Sequence, residues 1–385
     1  MDTEPKGRRV ADRRLSMEAE RRPQSLSKIV FEDLREVSLQ GTFRQGLREI
    51  YRFYLDEDHR TEVEQMGAVR RAFVVTGWLI RGLLLKLSPP RRLLLLISAA
   101  LVVFGDTISF AWETAQVVVD LQPWGYLLLL FVLTLELKDK LLARDEIEIA
   151  RQVQRALLPT DPPAAAGWSI WGYTRPANDV GGDLVDYLRT GSGHVGIALG
   201  DVAGKGLGAA LLMAKLQATL RAVASDHPDL ERLGQRLNAV LVQDGLANRY
   251  ATLFYAEVEP GGGALRYLNA GHNPPLLARW SGIEELGASS YPLGMLDEVA
   301  YRQGELELRP GEMLVVYSDG LTEARNAAGE EFGLERLRQA LGRMRNLPAE
   351  EAGRSLLREV DQFLGDQRLD DDLSLVVLLR QGGTG

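Results

Sequence analysis

The feature that most constrains this chain is a set of aspartates placed where short apolar runs begin or end. Asp183 follows Gly181-Gly182 and precedes Leu184–Leu188, and Asp201 closes the run that starts at Val195. Asp319 follows Leu314-Val315-Val316-Tyr317, and Asp370-Asp371-Asp372 lead into Leu373–Leu379. Apolar runs of this length, bounded by glycine and proline, read as strands. If the first pair turns at Ser192, residue i faces residue 384 minus i, which sets Asp183 opposite Asp201. Two carboxylates facing across a ladder repel, and a divalent cation removes that penalty. Gly181-Gly182 and Gly204-Lys205-Gly206 let backbone approach closely at both ends of the pair. Any one of these aspartates alone is an ordinary turn former. Together, fixed to the ends of buried strands, they form an oxygen cage of the kind that Mg²⁺ or Mn²⁺ prefers and zinc does not.

Composition closes off other chemistries. There is no cysteine, which excludes disulfides, cysteine-zinc sites and thiolate nucleophiles. Only four histidines (His59, His194, His227 and His272) are present, too few for a histidine-built cluster. A net charge of −8 argues against nucleic acid as the partner.

From Gly167 onward, short strands alternate with turns and are broken by helices. Hairpins are expected around Gly191-Ser192-Gly193, around Gly261-Gly262-Gly263, and between Glu305–Leu308 and Met313–Tyr317 across Arg309-Pro310-Gly311. Helices are expected at Ala209–Ala224, Leu230–Val242, Leu334–Met344 and Ala349–Leu364. Hairpins dominate, so the fold class is α+β with mainly antiparallel sheets and helices packed outside.

Residues 1–25 hold seven Lys/Arg and five Asp/Glu and read as a disordered tail. Residues 26–90 read as helical, with no chemistry of their own. Residues 91–136 read as a transmembrane hairpin of two apolar segments, Leu93–Trp112 and Val117–Leu135, each with an internal acid. Arg91 and Arg92 precede it, and Lys138, Lys140 and Arg144 follow it, which places both ends in the cytoplasm. Two buried helices of a soluble regulatory domain are the other reading. Residues 137–160 read as a connector helix, with Leu135, Leu142, Ile149, Val153 and Ala156 at heptad-like spacing suited to a homodimer seam. Pro159, Pro162 and Pro163 end it, and a separate domain covers 161–381.

Five segments taken in order resemble the motif series of the SpoIIE/RsbU-type PPM serine/threonine phosphatases. They are Val180-Gly-Gly-Asp183-Leu-Val-Asp186, Gly200-Asp201-Val-Ala-Gly-Lys-Gly206, Asn269-Ala-Gly-His-Asn-Pro-Pro275, Tyr317-Ser-Asp319-Gly-Leu-Thr-Glu323 and Asp371-Asp-Leu-Ser-Leu375. The helix Glu148–Pro159 is also similar to the one leading into that domain. The resemblance covers about Glu148 to Arg380 and implies an αββα sandwich with a two-metal centre (Mn²⁺ or Mg²⁺) at one end. It places metal ligands at Asp183, Asp201, Asp319 and Asp371, with the Val202 carbonyl as a further candidate and Asp183 and Asp201 as the catalytic pair. The choice between Asp371 and Asp372 is a register question, in which the motif alignment favours Asp371. Asp186 is expected to brace the loop and His272 to be structural. Lys205 and Gly206, at the start of the helix near Leu207, are the substrate-binding candidates, although for Lys205 a solvated loop lysine is the favoured reading. The implied reaction is in-line attack of water on phosphoserine or phosphothreonine. The implied partner is a phosphorylated anti-sigma-factor antagonist, acted on from the cytoplasmic membrane with the catalytic domain in the cytoplasm. Two other functions share parts of this sequence: a catalytically inactive membrane-anchored scaffold, and a nucleotide cyclase resting on Gly181-Gly182-Asp183 alone.

Overall fold

The computed structural model describes residues 84–382, apart from 106, 113–114, 160, 191–192, 228, 244–248, 288–289 and 346, together with 74, 77, 81 and 82. The tail expected over 1–25 and most of the helical region expected over 26–90 lie outside the described residues. The chain divides into two compact units, residues 1–137 and 138–385.

In the first unit, helix α1 (Pro89–Phe104) opens with Pro89-Pro90, where a missing N–H costs nothing, and stops at Gly105. A β-hairpin follows, strand β1 (Thr107–Trp112) against β2 (Ala115–Asp120), with Thr107 facing Asp120. Helix α2 (Gln122–Leu157) then begins. This corrects the expected pair of apolar crossing segments: residues 107–120 are extended. The physical reason is β-branching at Thr107, Ile108 and Val117-Val118-Val119, which favours strands. Helix α1 has 16 residues and so runs about 24 Å, short of the roughly 30 Å of a bilayer's hydrocarbon. Among the described residues, the one helical segment long and apolar enough to cross a membrane is Leu207–Asp226, a core element of the second unit. Helices α1 and α2 nevertheless leave Leu93, Leu96, Phe104, Tyr126, Leu130 and Phe131 uncovered.

Helix α2 continues unbroken to Leu157 and stops before Pro159. Beyond it lies the predicted αββα sandwich. One sheet has the order β10-β7-β6-β5-β4 and the other β3-β12-β11-β8-β9, all neighbours antiparallel. The first contains β4 (Leu184–Arg189), β5 (Val195–Val202), β6 (Ala251–Val258), β7 (Ala264–Ala270) and β10 (Gln303–Glu307). The second contains β3 (Trp168–Arg175), β8 (Leu276–Arg279), β9 (Gly282–Glu285), β11 (Met313–Tyr317) and β12 (Leu373–Arg380).

Three apolar layers hold these sheets. Alternate residues of each strand point to opposite faces. Ile197, Leu199, Val185, Phe254, Leu314, Val316, Val376 and Leu378 fill the space between the sheets. Leu184, Ala198 and Val202 face the other way, onto α3 (Leu207–Val223) and α4 (Leu230–Gln243). On the far side, Val315, Leu375 and Val377 pack on α6 (Gly333–Arg343) and α7 (Ala349–Leu364). A short helix α5 (Asp319–Thr322) follows β11.

One expected hairpin is wrong. Met313–Tyr317 does not pair with the preceding strand; β10 pairs with β7, and β11 lies between β12 and β8 in the other sheet. The apolar content separates them: β11 is buried at every position, whereas β10, with Glu305 and Glu307, is an edge strand. Arg309-Pro310-Gly311 is therefore a crossing between sheets.

Asp186 braces the first sheet against α3. It is fully buried, and Arg221 donates to both its oxygens at 2.6 and 2.7 Å. Replacing Arg221 by Met leaves that carboxylate without its cation. A broken buried pair costs about 3–5 kcal/mol; because Arg221 is itself 43% exposed, about 2–3 kcal/mol is expected here. Urea unfolding of Arg221→Met measures it, and a loss below about 0.5 kcal/mol contradicts the bracing role.

Candidate metal centre

The register between β4 and β5 decides where the aspartates go. Leu184 faces Gly200, so the next facing pair beyond the ladder is Asp183 and Asp201, as the turn arithmetic predicts. Asp183 shares the inward face of Val185, and Asp201 that of Leu199, so both carboxylates belong to the side facing the second sheet. The second sheet brings its own acids to this end. Asp319 starts α5 immediately after β11, and Asp370-Asp371-Asp372 form the turn before β12.

Close backbone approach makes the convergence possible. A Cβ on Gly181 would stand 2.6 Å from Asp372 Oδ2, and one on Gly182 would stand 3.1 Å from the Val202 carbonyl oxygen. A side chain at Gly181 would displace the Asp372 carboxylate, and one at Gly182 would press on the Val202 carbonyl. Asp372 itself is mostly committed to the loop: its carboxylate accepts the Ala177 N–H at 2.7 Å and the Gly182 N–H at 2.6 Å. Asp371 instead faces Lys205, whose Nζ lies 3.0 Å from Asp371 Oδ2 and donates to the Asp370 carbonyl at 2.7 Å. Lys205, read as a solvated loop lysine or a phosphate contact, is thus drawn into the acids. Gly206, at φ +75°, caps α3 without any side-chain hydrogen bond, leaving the helix's first amides uncapped by side chains.

Electrostatics registers the crowding. Burial first, and then Asp201, push the Asp183 carboxyl well above its ordinary range, against the hydroxyls of Ser374 and Ser318. Burial, then Asp319 and Asp371, raise Asp201 to about 6. Asp319 is also raised, by burial and then by Asp371. Burial disfavours the charge on Lys205, yet its bond to Asp371 leaves it protonated more firmly than usual.

The donor set suits a hard divalent cation. It is all oxygen, and Asp183 Oδ2 is buried with no hydrogen-bond partner, a costly condition unless something cationic meets it. Among the described residues no three carboxylates close around one point. An ion held here therefore takes part of its shell from backbone carbonyl and water, as Mg²⁺ ordinarily does.

Several supporting residues escaped sequence reasoning. Ser318 and Ser374 are fully buried beneath the acids. Ser318 Oγ donates to the Asp372 carbonyl at 2.9 Å and accepts the Ser374 N–H at 2.8 Å. Their signal was periodicity: both share the inward parity of Val316 and Val376. His272 is pinned by Asn269, which accepts its N–H at 2.8 Å and donates to its carbonyl at 3.1 Å. Burial lowers the imidazole to about 4, so it is neutral, and its Nδ1 lies 2.8 Å from Thr252 Oγ1 on the strand facing Asp201.

Comparison with known proteins adds lineage to geometry. The family model described as Stage II sporulation protein E (SpoIIE) matches residues 191–381. Protein IcfG of Synechocystis is 33% identical over 234 residues, 54% of this chain and 37% of that protein. Phosphoserine phosphatase RsbU of Bacillus subtilis is 30% identical over 242 residues, 62% of this chain and 71% of that protein. The chain belongs to the SpoIIE/RsbU-type PPM phosphatases. This family consists of metal-dependent serine/threonine hydrolases. Among solved structures, the SiaA-PP2C domain of Pseudomonas aeruginosa is similar with a TM-score of 0.52 at 22% identity, covering 63% of this chain and 99% of that one. The PP2C domain with a regulatory fragment of SpoIIE from Bacillus subtilis gives 0.51 at 20% identity, covering 57% and 63%. At these identities the likeness is one of fold. The chain spans little over a third of the length of IcfG.

Crowded acids make a pH prediction. An acid whose pKa is higher in the folded chain than in the unfolded one stabilises the fold at low pH, and loses that contribution as pH rises through the folded value. In excess chelator, stability should therefore fall as pH rises from about 4 to beyond 6, the window of Asp201, with Asp183 extending it upward. Asp201→Asn removes one repelling charge and should raise the melting temperature in chelator at pH 8 by a few degrees. A lower melting temperature for the variant contradicts the repulsion.

Proposed function

We propose that this chain is a protein phosphatase that removes phosphate from phosphoserine or phosphothreonine, with two Mn²⁺ or Mg²⁺ ions held by Asp183, Asp201, Asp319, Asp371 and the Val202 carbonyl. The observation that carries this reading is the buried, unpartnered Asp183 Oδ2 directly beyond the β4–β5 ladder from Asp201. When bound, the cations supply an activated water and neutralise charge on the phosphoryl oxygens. The chain's own residues do the positioning. Strands β4, β5, β11 and β12 fix the ligands from both sheets, so the acids cannot separate to relieve their repulsion. Asp372 holds the Gly181-Gly182 turn and Asp371 is left facing Asp319 and Lys205, which favours Asp371 as the ligand. Lys205, beside Asp371, and the side-chain-uncapped start of α3 would form the anion-binding side of the site. A neutral, pinned His272 has a structural role.

The substrate is a phosphorylated regulatory protein of the anti-sigma-factor-antagonist type, a reading supported by family membership and by a relative named a phosphoserine phosphatase. Asp201→Asn should lower phosphate release from a phosphoserine protein in Mn²⁺ at least 100-fold, a loss of about 2.7 kcal/mol or more in transition-state stabilisation, with the circular-dichroism spectrum unchanged. Activity that survives the substitution, or persists in excess chelator, counts against it.

The connector is the dimer seam. Leu142, Ile149 and Val153 are 54%, 62% and 56% exposed at heptad-like spacing on α2, an apolar stripe suited to a second copy of the helix. Ile149→Glu with Val153→Glu should shift the chain from dimer to monomer in analytical ultracentrifugation, and an unchanged mass removes the seam. The exposed apolar side chains of α1 and the start of α2, flanked by Arg91, Arg92, Lys138 and Lys140, support association of the N-terminal unit with the cytoplasmic membrane, leaving the catalytic domain in the cytoplasm.

A further inference from the structure

The connector helix reaches the aspartate centre through one side chain. Gln154, in the last turn of α2, is only 7% exposed. Its Nε2 donates to the Gly181 carbonyl at 2.7 Å, and the Gly181 N–H donates to its Oε1 at 3.1 Å. Both backbone groups of one residue are thus satisfied by a single amide from a distant helix. The next amide, Gly182 N–H, goes to Asp372 on the opposite side. Gly181-Gly182 is therefore stretched between the connector and the β12 turn, and Asp183 follows immediately. A second tie anchors the same end of α2: Gln217, buried on α3, donates Nε2 to the Leu157 carbonyl at 2.9 Å. Helix α3 follows Asp201 in the chain, so the end of the connector is tied to the turn before Asp183 and to the helix that comes after Asp201.

We propose that Gln154 is a positioning residue: its amide fixes the Gly181-Gly182 turn in the conformation that presents Asp183 to a divalent cation. The reason is entropic and electrostatic. Two successive glycines are the least restrained backbone the chain can offer, and a mobile turn cannot hold a carboxylate against Asp201. A buried glutamine is tolerated only while both ends of its amide are paired. The pairing thus links the rotational setting of α2 to the turn. A one-residue rotation of the helix, about 100°, carries Gln154 off Gly181 and leaves two buried backbone groups unmet. The connector then acts on metal affinity through one pair of hydrogen bonds.

This inference rests on the metal-dependent reading, and the test separates the two. Mn²⁺ binding to the full chain is measured by calorimetry for the unaltered protein, for Gln154→Leu, for Gln154→Met, which keeps the side chain's length, and for Gln152→Leu on the exposed side of the same turn. The expected result is a tenfold or greater loss of Mn²⁺ affinity in both Gln154 variants, with Gln152→Leu within twofold of the unaltered chain. In the unaltered chain under excess chelator, the Gly181 amide should also exchange slowly with solvent, since its partner is Gln154 and not an ion. Unaltered Mn²⁺ affinity in a folded Gln154 variant, or rapid Gly181 exchange in the unaltered chain, overturns the inference. Absence of Mn²⁺ binding in the unaltered chain overturns the metal reading itself.

Discussion

Carboxylates that repel one another are anchored to strands whose apolar bodies cannot move apart. That opposition organises the second unit. Leu184, Leu199, Val316 and Val376 are each less than 2% exposed and packed against neighbours on both faces of their sheets. Moving any aspartate outward means opening a core layer, at about 25 cal/mol for each Å² of apolar surface uncovered. Burial then keeps the charges from being relieved by water, and the consequence is visible in the raised carboxyls of Asp183, Asp201 and Asp319. The fold thus holds an unfavourable charge distribution in place.

The surroundings of the site divide the work by residue type. Charge is supplied by four aspartates from both sheets. Geometry is supplied by groups that need no charge at the centre: Ser318 and Ser374 stitch β11 to β12, Asn269 closes the turn carrying His272, and glycines leave room where Asp372 and the Val202 carbonyl press against the loop. Asp186 and Arg221 tie β4 to α3, joining the strand that follows Asp183 to the helix that comes after Asp201 through a buried ion pair. Gln154 adds the connector to that assembly.

Much of this was legible in the sequence because period-two patterning and turn residues act locally. The β4–β5 register followed from the position of one turn, and helices such as Ala349–Leu364 were bounded by Pro348 and Gly365. What was not legible depends on partners far apart in the chain. Strands β10 and β11 look like a hairpin because a proline-glycine turn separates them, and only the choice of neighbours, β7 for one and β12 for the other, sends them to different sheets. Residues 107–120 read as apolar segments of membrane helices, yet β-branching at Val117-Val118-Val119 prevailed over apolar content. Asp371 and Asp372 are chemically identical in sequence; their different roles arise from the Ala177 and Gly182 amides meeting Asp372. Gln154 stood out only as part of the Glu148–Pro159 stretch similar to the family's leading helix, and nothing local in the sequence sets its amide against Gly181.

The account turns on whether an ion completes this group of acids. Crystals of the chain grown with Mn²⁺, with diffraction recorded at the manganese edge, locate bound ions without reference to activity. The account predicts anomalous peaks between the two sheets, within about 2.0–2.2 Å of carboxylate oxygens of Asp183, Asp201, Asp319 and Asp371. Manganese bound only elsewhere, with these aspartates hydrogen-bonded among themselves at neutral pH, contradicts it.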